Sequence, residues 1–494
     1  MMEDTTAADP KACGRVMLTI PHTKAGAPAR LVAIFGSLGS HREKRVHYLF
    51  DLGEPDYQEI VLPSGGPIDS IASQVPAAAW FERELHDQYG SEIVGHPDPR
   101  PLVFHENWPD GVYPMVDRAK DVPWTKREYR FLQVQGEGVA EVAVGPVHAG
   151  IIEPGHFRFS VVGDTILHLE LRHFYTHKGT EQLFEGSSVS SGAMIAESVS
   201  GDNCFAHAVC YSQAVEQACG TEVSPRASAI RLIGLELERL ICHISDVGGL
   251  CTDVGFGVAA AHAMRIKESL LRASVDCCGT RYWRGVAVPG GLRFDCDSRK
   301  VLELGQAVAR AYGEFSGIAT MILDTPSIQD RFETAGVLSQ QVARDLAVVG
   351  PVARASGLKL DVRLDHPYGR YKHCQVEVPV VSYGDVMARA RIRVAEATVS
   401  ARLIQETANA LPDGDPLVPV NARGELHGFS AVESPRGELC YWLNVLDDRL
   451  TRCYVKSPSF QNWPAMPFAV EGNIIADFPL INKSFNLSYS GCDR

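Results

Sequence analysis

Residues 225–247 read P-R-A-S-A-I-R-L-I-G-L-E-L-E-R-L-I-C-H-I-S-D-V. Apolar side chains recur at Ile230, Ile233, Leu237, Leu240, Ile241 and Ile244, three and four residues apart. That spacing gathers them along one face of an α-helix. The Gly248-Gly249 pair that follows is the expected stop. A second long helix is predicted from Val386 to Ala410, with the stripe Ile392, Ala395, Val399 and Leu403, ending before Pro412-Asp413-Gly414. The larger part of the chain therefore reads as mainly helical.

Toward the N-terminus the pattern changes. Val139–Val144, then His156–Val162 and Thr165–Glu170 around a turn at Gly163-Asp164, have strand composition and form a β-hairpin region ahead of the helices. Upstream of these, residues 103–138 hold no regular apolar period and carry a charge-dense run from Asp117 to Arg130, so they read as a linker. Residues 14–102 read as a small α/β unit. Its strands are expected at Val16–Leu18, Leu31–Phe35 and His47–Leu52, with a turn cluster at 63–67. A helix is expected from Ala77 to Tyr89, lined on one side by Trp80, Leu85 and Tyr89. The expected organisation is α+β: an N-terminal α/β unit (14–102), a linker (103–138) and a large, mainly helical unit (139–494).

The chain has 494 residues and a formal net charge of -13 at pH 7, which argues against nucleic-acid binding and against direct docking on anionic lipid. No signal-type leader is legible and no apolar run is long enough to span a bilayer. The nearest, Gly248 to Met264, is short and contains Asp253 and His262. A cytoplasmic location is expected. The 13 cysteines include no C-x-x-C pair, so no zinc ribbon or iron–sulfur motif is legible. Dinucleotide, P-loop, G-x-S-x-G and H-E-x-x-H motifs are absent as well.

Longer composite motifs carry more. Residues 80–90 read W-F-E-R-E-L-H-D-Q-Y-G and residues 95–100 read G-H-P-D-P-R. This resembles the signature of the 30 kDa subunit of respiratory NADH:quinone oxidoreductase, whose implied role is docking against the 49 kDa subunit. From Gly145 onward, five blocks resemble that 49 kDa subunit and, more closely, the large subunit of group 4 (energy-converting, formate hydrogenlyase-type) nickel–iron hydrogenases. They are Gly145-Pro146-Val147-His148 with Glu153-Pro154-Gly155-His156-Phe157-Arg158; His177-Lys178-Gly179-Thr180-Glu181 with Glu185; Pro289-Gly290-Gly291; Gly384-Asp385 with Arg389, Arg393 and Glu396; and Glu433-Ser434-Pro435-Arg436-Gly437-Glu438.

The resemblance implies a metal site from which this sequence departs. The family holds nickel and iron with four thiolates from two blocks. Here the first block, 197–207, reads E-S-V-S-G-D-N-C-F-A-H and the second, 486–494, reads N-L-S-Y-S-G-C-D-R. Ser200, Asn203, Ser488 and Gly491 stand at the cysteine places, and Cys204 and Cys492 each fall one position off. Nickel needs soft thiolate donors, and serine hydroxyls are hard with a high pKa. A nickel–iron centre is therefore not expected, and no metal is assigned to the chain. The two off-register thiols, brought together, would make a two-thiol site; inert packing is the ordinary role of such cysteines.

In the quinone-reducing relatives a hairpin histidine and a tyrosine of the first block contact the quinone. Those places fall near Pro154 and at Gly201 here, with His148 and His156 close by. The candidate catalytic set is Glu181, His148, His156, Asp202 and His207. Glu181 and Glu185 share a face if their segment is helical, and the resemblance makes Glu181 a proton carrier with a pKa raised by burial. The plainer reading pairs Glu181 with Arg389 or Arg436. Those two arginines are candidates to face the cavity or a partner's cluster. Arg389, Arg393 and Glu396 lie on one face as either a solvated stripe or a buried network.

The function so implied is a core oxidoreductase subunit that passes electrons from a [4Fe–4S] cluster in a small iron–sulfur partner to a quinone or another acceptor, with coupled proton transfer. Antiporter-like and quinone-oxidoreductase-like membrane subunits would hold it peripherally at the inner (cell) membrane. A catalytically silent scaffold and a true nickel–iron hydrogenase subunit are the alternatives.

Overall fold

A computed structural model of the chain describes residues 18–53, 57–117, 122–148 and 152–494. An antiparallel sheet is built from Arg30–Leu38, Lys44–Asp51 and Tyr57–Pro63 in that order. The expected strand at 16–18 is corrected at its last residue: Leu18 lies in no strand, and positions 16 and 17 fall outside the described residues. The helix Ala78–Tyr89 packs on this sheet. It does so closely, since a β-carbon at Gly36 would sit 2.5 Å from the Tyr89 ring. Leu85 and Tyr89 are buried as expected, whereas Trp80 is half-buried.

The motif around this helix is an internal scaffold and a docking surface at once. Glu82 accepts from the Ile71 amide (2.8 Å), and Asp87 accepts from the amides of Leu102 and Val103 (2.8 Å each). Arg83 donates to the carbonyls of Arg100 and Pro101. Glu84 instead reaches across the molecule to Arg494.

The described residues of the stretch, 103–117 and 122–138, are irregular apart from the short helix Pro114–Asp117. They are nonetheless pinned, because Glu170 accepts from the Tyr129 hydroxyl (2.9 Å) and the Leu132 amide (2.7 Å). The second sheet joins Val139–Val144, His156–Val162 and Thr165–Arg172, antiparallel throughout.

Long helices follow at Cys204–Cys219, Pro225–Asp253, Gly257–Cys278, Ser298–Asp324 and Val386–Asn409. The Pro225–Asp253 helix is the hub, packed against both Gly257–Cys278 and Val386–Asn409. It does not stop at Gly248-Gly249. A β-carbon at Gly248 would lie 2.6 Å from that of Ala263, so this glycine admits the neighbouring helix instead of ending its own. The break comes at Val254-Gly255, where Gly255 has φ of +76°. The apolar run 248–264 is thus two helix ends and a turn, and among the described residues no helix is long and apolar enough to cross a membrane.

The fold is α+β as expected, with one component that periodicity does not reveal. Glu425–Ser434, Gly437–Leu446 and Arg449–Lys456 form a third antiparallel sheet. Its central strand is buried on both faces. Tyr441 meets His207 and Tyr211 of the Cys204–Cys219 helix, and Trp442 meets Phe35 and His47 of the N-terminal sheet. A strand covered on both sides reads as an unbroken apolar run and loses the alternation that marks a half-buried one.

Candidate functional site

The blocks singled out in the sequence converge where the end of the described chain meets the hairpin region. The His177 ring donates to the Asp493 carbonyl (2.6 Å) and the Lys178 amide to the Arg494 carbonyl (2.9 Å). The Lys178 ammonium donates to the Val199 carbonyl (3.0 Å) and to the Ser490 hydroxyl. The Ser490 amide donates to the Glu153 carboxylate (2.8 Å). These bonds close the wall of a cavity of about 610 Å³, onto which His148, Glu153, Ser200, Asp202, Arg436 and Tyr489 all open.

Two of the four residues expected from the resemblance at metal-ligand places meet there. The Ser200 and Ser488 hydroxyls are 3.1 Å apart. Ser200 also donates to Asp202 (2.9 Å), and Ser488 accepts from the Gly491 amide (2.8 Å). Asn203 is buried just ahead of the Cys204–Cys219 helix, its side-chain oxygen unpartnered. The off-register thiols stay free and are housed apart. Cys204 faces the Tyr282 carbonyl (3.4 Å), and burial pushes it up to about 12. Cys492 is fully buried, which raises its pKa well above the ordinary value. Among the described residues no group of three or more His, Cys, Asp or Glu side chains is placed to hold a metal ion. This donor set, two hydroxyls bonded to each other, one amide and one bare glycine, does not match what nickel and iron require.

Charge enters through Asp202 and Arg436. The Pro435-Arg436 turn joins two strands of the third sheet, with Ser434 paired to Gly437. The Arg436 guanidinium grips both oxygens of Asp202, one at 3.0 Å, and donates to the Asn486 carbonyl. Burial pushes the Asp202 carboxyl up, but Arg436 and Ser200 outweigh it and hold it at about 2. Asp202 is thus a fixed carboxylate, although half of its side-chain surface is open to the cavity.

The other candidates divide. His148 lines the cavity, and its Nε2 donates to the Gly155 carbonyl (3.0 Å). His156 does not line it; its Nδ1 donates to the Gly145 carbonyl (3.1 Å) and its ring packs on Phe131. His207 is buried against the Tyr441 hydroxyl (2.8 Å), and burial drives it down to about 3. It serves the sheet–helix interface, away from the cavity wall.

Glu181 opens the short helix Thr180–Phe184, but Glu185 lies past its end in extended backbone. The shared helix face therefore does not form. Glu181 pairs with Arg452 (2.6 Å) and Arg494 (3.3 Å), and with neither Arg389 nor Arg436. It does not reach the cavity wall. Arg389 is buried off the cavity as well. It donates to Ser484 and to the carbonyls of Gly384 and Gly336, stacks on Phe485, and is lowered to about 9 by burial and by Arg393. Arg393 pairs with Asp246 (2.9 Å), while Glu396 takes His243 (2.8 Å) and Arg354 (2.7 Å). The spacing in that helix thus marks a buried network.

The residue that motif reading passes over is Tyr489, inside the second block between the former ligand places Ser488 and Gly491. Its ring crosses Gly155, where a β-carbon would lie 2.5 Å from it. Its hydroxyl accepts from the Asn482 amide at 3.5 Å, and burial pushes the phenol up to about 12. Behind it lies His173, buried with neither ring nitrogen partnered and driven by burial to about 3. Gly155 binds the two cavity groups together, since its carbonyl holds His148 and its bare α-carbon admits Tyr489. Gly201, where the resemblance leads one to expect a quinone-contacting tyrosine, has open space at its β-carbon. The signal in the sequence is an aromatic inside a ligand block.

Comparison with known proteins agrees with this architecture. Residues 27–128 match the family described as Respiratory-chain NADH dehydrogenase, 30 Kd subunit, and residues 253–426 and 421–494 match its 49 Kd subunit counterpart. Formate hydrogenlyase subunit 5 of Escherichia coli (strain K12) is 34% identical over 436 residues, covering 86% of this chain and 76% of that protein. The carbon monoxide-induced hydrogenase of Rhodospirillum rubrum is 32% identical, covering 72% of this chain and 99% of that protein. The C/D subunit of NADH-quinone oxidoreductase from Bacteroides thetaiotaomicron is 28% identical, covering 86% of this chain and 85% of that protein. Among solved structures, a chain of the membrane-bound sulfane sulfur reductase, an archaeal respiratory membrane complex, shares the fold with a TM-score of 0.68 at 24% identity, covering 72% of this chain and 99% of that chain. The chain belongs to the family of fused 30 kDa–49 kDa subunits of complex I-type and hydrogenase-type respiratory oxidoreductases.

Proposed function

We propose that the cavity between His148 and Arg436 is where the complex reduces a small two-electron acceptor, and that this chain works there without a nickel–iron centre of its own. The observation that carries the reading is the donor set. Ser200 and Ser488 bond to each other where soft thiolates would be needed, while His148 and Tyr489 line the same cavity and meet at Gly155. Electrons reach the cavity from an iron–sulfur cluster in a partner subunit, and membrane partners hold the chain peripherally at the cytoplasmic face.

The wall suits an acceptor bearing an oxygen or sulfur that gains negative charge on reduction. The Tyr489 hydroxyl has its own proton uncommitted and donates it toward that atom. His148 commits Nε2 to the Gly155 carbonyl, which leaves Nδ1 as its second ring nitrogen for a hydrogen bond. Asp202 and Arg436 form a neutral pair that fixes the wall beside Ser200. A quinone meets these requirements, as does the sulfane-sulfur class named for the structural neighbour.

The test is acceptor reduction by the intact complex, assayed with a short-chain quinone and with polysulfide, for the native chain, H148A and Y489F. General acid groups contribute roughly 100- to 10,000-fold, so Y489F is expected to lose about 100-fold or more in kcat. The mutual satisfaction of Asp202 with Arg436 and of Ser200 with Ser488 favours a second reading, a closed scaffold with a silent cavity. Native rates in both variants would establish the scaffold.

A further inference from the structure

A second cavity of about 330 Å³ adjoins the first and shares Gly201, Asp202 and Asn486 with it. Glu238, Trp283 and Cys242 line its inner part, and Lys267, Arg281 and Tyr282 lie toward its outer part, with Arg281 and Tyr282 exposed. We propose that this second cavity is the proton inlet of the acceptor site, with Glu238 as its relay carboxyl. The proposal rests on the acceptor-reducing reading of the first cavity.

The geometry singles out Glu238. It projects from the long helix Pro225–Asp253 toward the first turn of Cys204–Cys219, where its two oxygens accept the amides of Phe205 (2.8 Å) and Ala206 (3.0 Å). Those bonds fix the carboxyl at the cavity wall and leave a lone-pair side on each oxygen for a proton. Among the described residues no cation is within ion-pair distance of it. The other acids of this cavity are committed: Asp202 to Arg436, and Asp246 to Arg393 and the Asn486 amide.

The groups that face Glu238 are Asp202 from the preceding loop, Cys204 at the start of the Cys204–Cys219 helix, and Arg239 and Cys242 of its own helix. Asp202 opposes a second negative charge, and Arg239 is engaged by the carbonyls of Glu433 and Ser434. Burial pushes Glu238 up to about 8 in spite of its two amide donors, so it holds a proton at neutral pH and can release it. Across the cavity the Lys267 ammonium donates to Ser245 (3.1 Å), and the buried Trp283 indole N–H has no partner. The space is polar enough, and large enough at about 30 Å³ per molecule, for a short chain of waters.

The step balances simply. An acceptor takes two protons and two electrons, the electrons passing one at a time from the partner's iron–sulfur cluster, which is reduced again between them. For each proton delivered, Glu238 passes its own through cavity water beside Asp202 and is left a carboxylate. It is reprotonated from solvent through the mouth at Arg281 and Tyr282. Asp202, held as a carboxylate, stays a fixed charge along the path.

The experiment combines infrared spectroscopy and the pH profile of acceptor reduction on the intact complex, for the native chain, E238Q and E238D. A protonated-carboxyl band is expected in the native complex, titrating near pH 8 and missing in E238Q. Native turnover is expected to fall above that pH. E238Q should slow turnover about 100-fold and lose the alkaline limb, with partial rescue in E238D. E238Q places an amide opposite two backbone N–H groups, so a failure to assemble leaves the native band and E238D to decide. Absence of a titrating band in the native complex, or native rate and profile in E238Q, would overturn the relay while leaving the acceptor reading in place. A native complex that reduces no acceptor would overturn both.

Discussion

Tyr489 and Asp202 show how the cavity divides its labour at the scale of single residues. Tyr489 has one long hydrogen bond, so its hydroxyl contributes little to folding. Y489F is therefore expected to leave the denaturation midpoint of the purified chain within about 0.5 kcal/mol of native while removing acceptor reduction. A large loss of stability would mean that the hydroxyl is structural. Asp202 is the reverse case, a carboxylate whose partners lie within the fold. Its folded pKa of about 2 lies below the ordinary 3.8, so its contribution to stability is complete above the ordinary value and lost as pH falls toward 2. Urea midpoints should show native and D202N furthest apart near about pH 5 and converging in acid. A constant gap would show that the pair with Arg436 does not set the stability of this wall.

Among the elements, the helix Pro225–Asp253 carries the clearest lesson on what the sequence could reveal. Its apolar period is legible although the helix is buried on nearly every side, because other buried positions carry Arg231, Glu236, Arg239 and His243; the hairpin 156–172 and the helix from Val386 are legible too. The end of the Pro225–Asp253 helix is not, since Gly248-Gly249 resembles a cap while Gly248 actually admits Ala263. The contrast makes a prediction. G248A forces two β-carbons to 2.6 Å and should destabilise by about 1–2 kcal/mol, net of the helix-propensity gain. G249A meets only the flexible end of Lys483 and should be neutral or stabilising by up to about 1 kcal/mol. Thermal or urea melts that reverse this order would refute the packing account. The third sheet is invisible in the sequence because Cys440, Tyr441, Trp442 and Leu443 are all buried, so no alternation survives. Of the candidate site, Ser200, Ser488, Asp202, Arg436 and His148 can be placed from motif register. Glu181, His156, His207 and Arg389 belong to the right blocks but point into ion pairs, carbonyls or packing interfaces, and register carries no information on direction.

Across the whole molecule, the N-terminal unit is held to the remainder by a few long-range charged contacts. Arg30 bridges to Glu438 (2.8 Å), which also takes buried Lys456 (2.8 Å). Arg452 donates to the Gly36 carbonyl (3.0 Å), and Arg494 pairs with Glu84. Removing one partner strands the other charge in a buried setting, at a cost of about 3 kcal/mol. E84A or R30A is therefore expected to loosen this docking and speed limited proteolysis within 103–138, while the acceptor cavity, built from other residues, keeps its variants' phenotypes. Unchanged proteolysis would place the docking strength elsewhere, in the aromatic contacts of Phe35 with Trp442 and Tyr454. The central claim, an acceptor-reducing cavity with no nickel–iron centre, is tested most directly by elemental analysis of the same intact complex whose acceptor reduction is being assayed. The account predicts sustained reduction at nickel levels far below one per chain; nickel in proportion to the chain, with activity that rises and falls with it, would contradict it.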